Sequence, residues 1–188
     1  MPEPSPAAPS PAAGPRTAAE HIEALTALVP DFPQPGILFR DLTPVFADGP
    51  ALRAVTDALA EPFAGRVDAV AGVEARGFVL AAAAAYALGT GTLIIRKPGK
   101  LPRPHLSASY DLEYGSATLE LQPDDLPAGS RILLLDDILA TGGTLSAAAG
   151  LIERAGWSIA GVSVVLELGG LPGRASLPDY EVRSLVTV

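Results

Sequence analysis

Cysteine is absent from the 188 residues, and lysine nearly so, occurring only at Lys97 and Lys100. Without cysteine there is no disulfide scaffold, thiolate nucleophile or thiolate metal site. Histidine occurs twice, at His21 and His105, which leaves little room for a multi-histidine metal centre. Positive charge is scarce as well: 13 Lys+Arg stand against 21 Asp+Glu, giving a net charge of −8 and a pI near 4.7. Such a chain is poorly suited to wrap duplex nucleic acid, which needs phosphate neutralised over a broad surface. A small anion held by one local cluster remains allowed. The N-terminus lacks a basic start followed by an apolar core, so no signal peptide is expected. Gly77 to Ile95 carries no charge and approaches spanning length, but Gly89-Thr90-Gly91 divides it, and a buried helix, turn and strand fit better than a membrane span. The expected location is cytoplasmic.

What is present is strongly ordered along the chain. Residues 1–16 contain six prolines with Ala, Ser and Gly, a composition expected to stay disordered. Thr17-Ala18-Ala19-Glu20 forms a capping-box pattern that predicts a helix with Ile22, Leu25 and Leu28 on one face, ending at Pro30. A Pro/Gly-punctuated stretch follows, with one extended run at 37–39. Helices are then predicted over 48–63, 78–88 and 144–155, and strands over 67–73, 92–95, 132–135, 159–166 and 180–188. Residues 108–113 and 117–122 alternate as a hairpin, and 98–107 is a loop. Short apolar strands separated by helices predict an α/β fold with a mainly parallel central sheet flanked by helices. Residues 17–188 are expected to form a single domain.

In such sheets ligands sit at the carboxyl ends of the strands. The segment ILLLDDILATGGTL (132–145) ends an apolar strand in Asp136 and Asp137, and Thr141-Gly142-Gly143-Thr144 then opens a helix. A helix start offers free N–H groups and a positive dipole end, glycines allow close backbone approach, and threonines add hydroxyls, which together make a monophosphate cradle. The carboxylates can accept hydrogen bonds from vicinal sugar hydroxyls. Taken separately, Gly-Gly serves equally as a plain turn and the Asp pair as a solvated strand end. No GxxxxGK[ST] and no strand-following GxGxxG occurs, which removes the usual nucleotide-binding loops. The second feature is the basic segment 96–103, RKPGKLPR, which holds both lysines and no acid.

Taken whole, 132–145 resembles the phosphoribosyl-pyrophosphate (PRPP) signature of the type I phosphoribosyltransferases. DFPQPGILFRD (31–41), GVEARGF (72–78), IRKPGKLP (95–102), SYDLEYG (109–115) and LELGGLPGR (166–174) resemble the adenine phosphoribosyltransferase branch. The resemblance implies a type I phosphoribosyltransferase fold with a small N-terminal hood at 31–44 and a flexible lid loop. It implies purine salvage: adenine and PRPP give AMP and pyrophosphate, with Mg2+, in a homodimer with no nucleic-acid or membrane partner. Ala140, Thr141, Gly142, Gly143 and Thr144 are then expected to take the 5′-phosphate. Asp136 and Asp137 are expected to take the ribose hydroxyls, directly or through magnesium-bound water. The backbone of Glu74 and Ala75, with Arg76, is expected to hold pyrophosphate, and the family's non-proline cis peptide transfers to Glu74–Ala75. Arg96, Lys97 and Lys100 would stabilise charge on the departing group, in a loop whose closure keeps water from PRPP. Leu38, Phe39 and Arg40 would recognise adenine, and Glu113 would be the acid/base, with Tyr114 positioning lid or base.

Two other readings share the PRPP loop. An enzyme for another base, such as hypoxanthine, guanine, xanthine or orotate, would lack the hood and LEYG segments. A PRPP-sensing transcriptional regulator would want a basic DNA-binding module, whereas the only extra segment here is a proline-rich tail with one arginine. His105 suggests no role, and Trp157 is expected to pack at a helix–strand junction.

Overall fold

The first helix stops earlier than its apolar spacing predicts. In the computed structural model, which describes residues 16–112 and 115–188, α1 spans Ala18–Leu25. The Thr17–Glu20 capping box opens it, and the Thr26 hydroxyl closes it by donating to the Ile22 carbonyl at 2.6 Å. The chain then becomes extended as β1 (Ala27–Pro30), pairing antiparallel with β2 (Leu38–Asp41). Two local facts explain the difference. Val29 precedes a proline, which disfavours helical backbone, and the ribbon satisfies backbone groups that a helix ending at Pro30 would leave open. The short helix α2 (Thr43–Ala47) was not anticipated; Pro44 lies in its first turn, and the Asp41 carboxylate accepts from the Thr43 N–H at 2.9 Å.

From there sequence and structure run closely together. Asp48 caps α3 (Gly49–Ala60), accepting from the Ala51 N–H at 2.8 Å, and a 3-10 turn (Glu61–Phe63) extends it. There follow β3 (Ala69–Val73), α4 (Arg76–Leu88) and β4 (Gly91–Ile95). A two-stranded ribbon of β5 (Leu106–Leu112) and β6 (Gly115–Leu121) comes next. The chain is completed by β7 (Arg131–Leu139), α5 (Gly143–Arg154), β8 (Ser158–Glu167), a 3-10 helix (Gly173–Ser176) and β9 (Val182–Thr187).

The central sheet has five strands in the order β4-β3-β7-β8-β9, all pairs parallel. Every residue of β3 is buried. On one face Val70, Leu133, Leu135 and Val165 pack against residues of α1, α2, α3 and α4; on the other, Ala69, Ala71, Ile132, Leu134 and Val164 pack against α5 and the β5–β6 ribbon. This two-sided burial is why the strands are continuous apolar runs rather than alternating ones. Truncating a residue such as Leu134 to Ala would cost about 2–5 kcal/mol. Trp157 is buried between α5 and β8, its indole N–H donating to the Leu126 carbonyl at 3.3 Å. The strand order changes direction between β3 and β7: β4 lies to one side, β8 and β9 to the other. A crevice forms where loops diverge from such a point.

Candidate active site

The loops leaving β3 and β7 face each other across one cleft of about 580 Å³. Beyond Leu135, β7 carries Asp136 and Asp137 into it, and Ala140 and Thr144 line its far end. The intervening turn is pinned from behind. Gly142 has φ of 84°, and a Cβ there would stand 2.6 Å from the Gly173 carbonyl oxygen. The Ser176 hydroxyl donates to the Thr141 carbonyl at 2.8 Å. Glycine at 142 therefore answers two demands, a left-handed backbone and contact with the Gly173–Ser176 turn. α5 begins at Gly143, so its first N–H groups, which have no carbonyl a turn below, end at this cleft. The Thr144 hydroxyl donates to the Tyr110 hydroxyl at 3.2 Å.

The β3 loop forms the middle of the cleft. Its Glu74–Ala75 peptide is cis, as the resemblance implies. The first turn of α4 lies hard against the sheet: a Cβ on Gly72 would be 2.3 Å from the Gly77 carbonyl oxygen, and one on Gly77 3.1 Å from Asp136 Oδ1. That close approach puts Arg76 beside Asp137, where Nε donates to Oδ2. The same guanidinium lies 5.7 Å from the centroid of the Phe39 ring. Asp136 Oδ1 accepts from the Asp137 N–H at 3.0 Å. Burial, with the charge of Asp137 beside it, pushes the Asp136 carboxyl well above the usual carboxylate range.

The β1–β2 ribbon closes the cleft opposite, presenting Leu38, Phe39 and Arg40. Phe32 meets the Phe39 ring edge-on at 5.1 Å, fixing its plane. Of the basic segment only Lys97 lines the cleft. Arg96 and Lys100 converge instead on Glu74: Arg96 Nε is 3.3 Å from Oε2, and Lys100 Nζ is 2.5 Å from Oε1. The Lys97 N–H donates to Oε2 at 3.0 Å. The Lys100 ammonium foremost, then the Lys97 N–H and the Arg96 charge, hold the Glu74 carboxyl down at about 2. The same loop is tied to β6, where Glu120 accepts from the Gly99 N–H at 3.0 Å and faces His105 Nε2 at 3.4 Å.

Leu38, Phe39, Arg40, Glu74, Ala75, Arg76, Lys97, Asp136, Asp137, Ala140 and Thr144 thus meet at one cleft. Thr141, Gly142 and Gly143 connect two of its lining residues without lining it themselves, and Arg96 and Lys100 lie beside it. Glu113 and Tyr114 fall outside the described residues. Tyr110 also lines the cleft and was not singled out from the sequence. Its signal was there: Leu106, Ala108 and Tyr110 repeat at the strand period and together face the core. Leu168, which also lines it, carries no such signal. Among the described residues no group of three or more His, Asp or Glu side chains gathers as a metal cage. The oxygen donors that face the cleft from β7 are the carboxylates of Asp136 and Asp137. Such a pair fits a magnesium ion, which keeps several waters and draws other ligands from a phosphorylated substrate.

Residues 46–187 match the phosphoribosyl transferase domain family. The chain is 66% identical to the adenine phosphoribosyltransferase of Renibacterium salmoninarum over 167 residues, covering 89% of this chain and 92% of that one. It is 64% identical to the adenine phosphoribosyltransferase of Clavibacter michiganensis over 171 residues, covering 91% and 97%. Among solved structures, the adenine phosphoribosyltransferase of Thermoanaerobacter pseudethanolicus superposes with a TM-score of 0.87 at 42% identity, covering 90% of this chain and 99% of that one. The Saccharomyces cerevisiae enzyme, solved with an imino-altritol bisphosphate and adenine, superposes with a TM-score of 0.84 at 37% identity, covering 90% and 98%.

Proposed function

The chain belongs to the adenine phosphoribosyltransferase family, and from this membership we infer that its cleft joins adenine to the 5-phosphoribosyl group of PRPP, giving AMP and pyrophosphate in purine salvage. The observation that carries the reading is the gathering of Phe39, Arg76, Asp136, Asp137 and Thr144 around one cavity, with Arg76 reaching both the Phe39 ring and Asp137. A base, a sugar, a monophosphate and a pyrophosphate need that set of groups: an aromatic face, carboxylates, a cation and helix N–H groups.

Each wall then has a task. The 140–144 turn and the start of α5 receive the 5′-phosphate through backbone N–H groups and the threonine hydroxyls. Asp136 and Asp137 take the ribose hydroxyls. The backbone at Glu74 and Ala75 holds pyrophosphate together with Arg76. Adenine stacks on Phe39, the Leu38 backbone carbonyl accepts from its exocyclic amine, and Arg40 lies near the ring nitrogens. A 6-oxo base offers no donor to that carbonyl and is rejected. As the bond from the anomeric carbon to pyrophosphate oxygen breaks, positive charge grows on the ribosyl centre and negative charge on the departing oxygens. Arg96, Lys97 and Lys100 stabilise the latter. The base nitrogen forms the new bond, and its proton passes to the Glu113 carboxylate. Asp136 and Asp137 would hold a magnesium ion brought in with PRPP, which would supply further countercharge to the pyrophosphate.

Residues 17–188 act as one domain in this reading, and the cytoplasm, where free bases and phosphorylated sugars meet, is its compartment. A homodimer is proposed as well. Val79 and Tyr86 on α4 and Ile94 on the edge strand β4 leave large apolar side chains exposed at this edge, Tyr86 90% exposed. A second copy of the chain covering it would account for so apolar an edge.

The deciding assay incubates the chain with PRPP, magnesium and one base at a time. AMP from adenine, with no nucleotide from hypoxanthine, guanine, xanthine or orotate, is the expected result. Nucleotide from another base alone, or from none, overturns the reading.

A further inference from the structure

The leaving-group side of the cleft already holds an anion, and it belongs to the protein. Glu74 stands at the carboxyl end of β3, with its side chain 10% exposed, and three donors from the 96–100 segment converge on its two oxygens. Every cationic group that the proposed reaction assigns to the departing pyrophosphate, apart from Arg76 and the Lys97 ammonium, is thereby committed to one carboxylate. Two features let that commitment change. Lys100 is 45% exposed along its side chain, so its ammonium can swing without unpacking the core. It also follows Gly99, whose φ of 77° marks a turn held by one hydrogen bond to Glu120, with nothing within 4 Å of where a Cβ would stand.

We propose that Glu74 is a positioning residue that acts as the resting countercharge of the pyrophosphate subsite. Its carboxylate holds Arg96 and Lys100 in register while the cleft is empty and yields Lys100 to pyrophosphate when that group is present. The inference rests on the reading of the cleft given above. Its physical core is competition between two anions for one ammonium. Pyrophosphate enters carrying more charge than a carboxylate but must displace an existing short-range partner, so its affinity is lowered by the strength of the Glu74–Lys100 pair. A carboxylate left beside a polyanion repels it as well. Both effects hasten product release, which limits turnover in many enzymes.

The consequence is opposite to that of an ordinary structural ion pair. If Glu74 merely braced the loop, Glu74→Gln would loosen the basic segment and weaken pyrophosphate binding. As a countercharge, its loss should tighten binding. The test measures the KM for pyrophosphate in the reverse reaction, AMP plus magnesium pyrophosphate, for the full chain and for Glu74→Gln. A fall of about ten-fold, equivalent to about 1.4 kcal/mol, is expected. In the Lys100→Gln background the same substitution should change this KM by less than about two-fold, because the contested cation is gone. An unchanged or raised KM in Glu74→Gln overturns the proposal, as does an undiminished effect in the Lys100→Gln background.

A second measurement needs no substitution at Glu74. Lys97 and Lys100 are the only lysines, so ε-15N-lysine labelling yields two ammonium signals, assigned with Lys97→Arg. Titration with magnesium pyrophosphate should shift the Lys100 signal as its partner changes, and a signal that stays fixed through saturation of the site overturns the proposal. Formation of AMP by the unmodified chain is measured alongside. AMP formation with either negative result sinks this inference alone, whereas no AMP formation sinks the proposed function.

Discussion

Arg76 and Asp137 form an ion pair between the start of α4 and the end of β7, and the pair is asymmetric. The Asp137 side chain is 8% exposed and that of Arg76 43%. The carboxylate is the buried partner, and the guanidinium, reaching over the Phe39 ring, is its main cover.

Replacing Arg76 by Ala should therefore cost stability as well as activity. A buried carboxylate stripped of its partner costs about 1–3 kcal/mol at a site this close to solvent. Loss of a cation proposed to face the leaving group should lower kcat/KM by about 10²–10³-fold. Arg76→Lys should recover part of the stability and little of the rate, since an ammonium cannot repeat the flat Nε contact. Thermal denaturation beside steady-state kinetics separates the two effects.

Lys97→Ala and Lys100→Ala should behave differently from Arg76→Ala. Both side chains are partly solvated, and the Lys100–Glu74 pair contributes about 1 kcal/mol or less to stability. Turnover should fall by about 10–10³-fold with a small change in Tm. Unchanged kinetics in both variants would remove the basic segment from the mechanism.

Gly142→Ala tests the turn at the proposed 5′-phosphate position. The added methyl meets the Gly173 carbonyl and forces a side chain into a left-handed backbone, for a loss of about 2–4 kcal/mol. The KM for PRPP should rise more than that for adenine, because the turn lies at the end proposed for the phosphate.

Acid should release the basic segment in a defined window. Glu74 falls from an ordinary value of 4.5 to about 2, chiefly through the Lys100 contact. A depressed carboxylate contributes stability that is complete above its unfolded pKa and is lost as pH falls through the folded one. The contact should hold at pH 5 and fade between about pH 4.5 and pH 2. Asp68, lowered to about 2 by its contacts with Arg131, adds to the same limb. Glu74→Gln should flatten the acid limb of a stability-against-pH curve, leaving the share of Asp68 and of the other lowered carboxylates, Glu167 and Glu181 among them.

Glu113→Gln should lower kcat by about 10²-fold while PRPP still binds, since an amide keeps the shape of the carboxylate and cannot take the purine proton. Full activity in that variant would end its acid/base role.

The parts of the fold that were legible are those where one local signal suffices. β3, β7 and β8 are apolar runs long enough to need cover on both faces, and the Asp48 cap with Pro50 marks the start of α3. The 132–145 segment could be read because strand end, carboxylates, glycines and helix start are contiguous. Thr26–Pro30 could not, because its pairing with β2 depends on a strand beyond the 31–37 turn. The partnership of Arg76 with Asp137 was equally hidden, as it spans 61 positions of sequence and depends on Gly72 and Gly77 letting α4 settle onto the sheet. Glu74 looked like a backbone contributor; only the fold shows its side chain gathering the 96–100 segment.

The hydrogen-bond ladder between β3 and β7 sets the mechanical character of the cleft. The two strands are joined from Ala69↔Ile132 to Gly72↔Leu135, at the centre of the sheet. The β1–β2 and β5–β6 ribbons lie outside this ladder as two-stranded pieces, β6 being joined to the chain after β4 by a single bridge, Arg96↔Glu120. The amides of the central ladder should exchange with solvent only on global unfolding, and those of the ribbons through local opening. The molecule is thus a vice with one fixed jaw: the groups on β3 and β7 keep their spacing, and the compliance needed to admit, enclose and discharge a ligand resides in the ribbons and in the 96–103 loop.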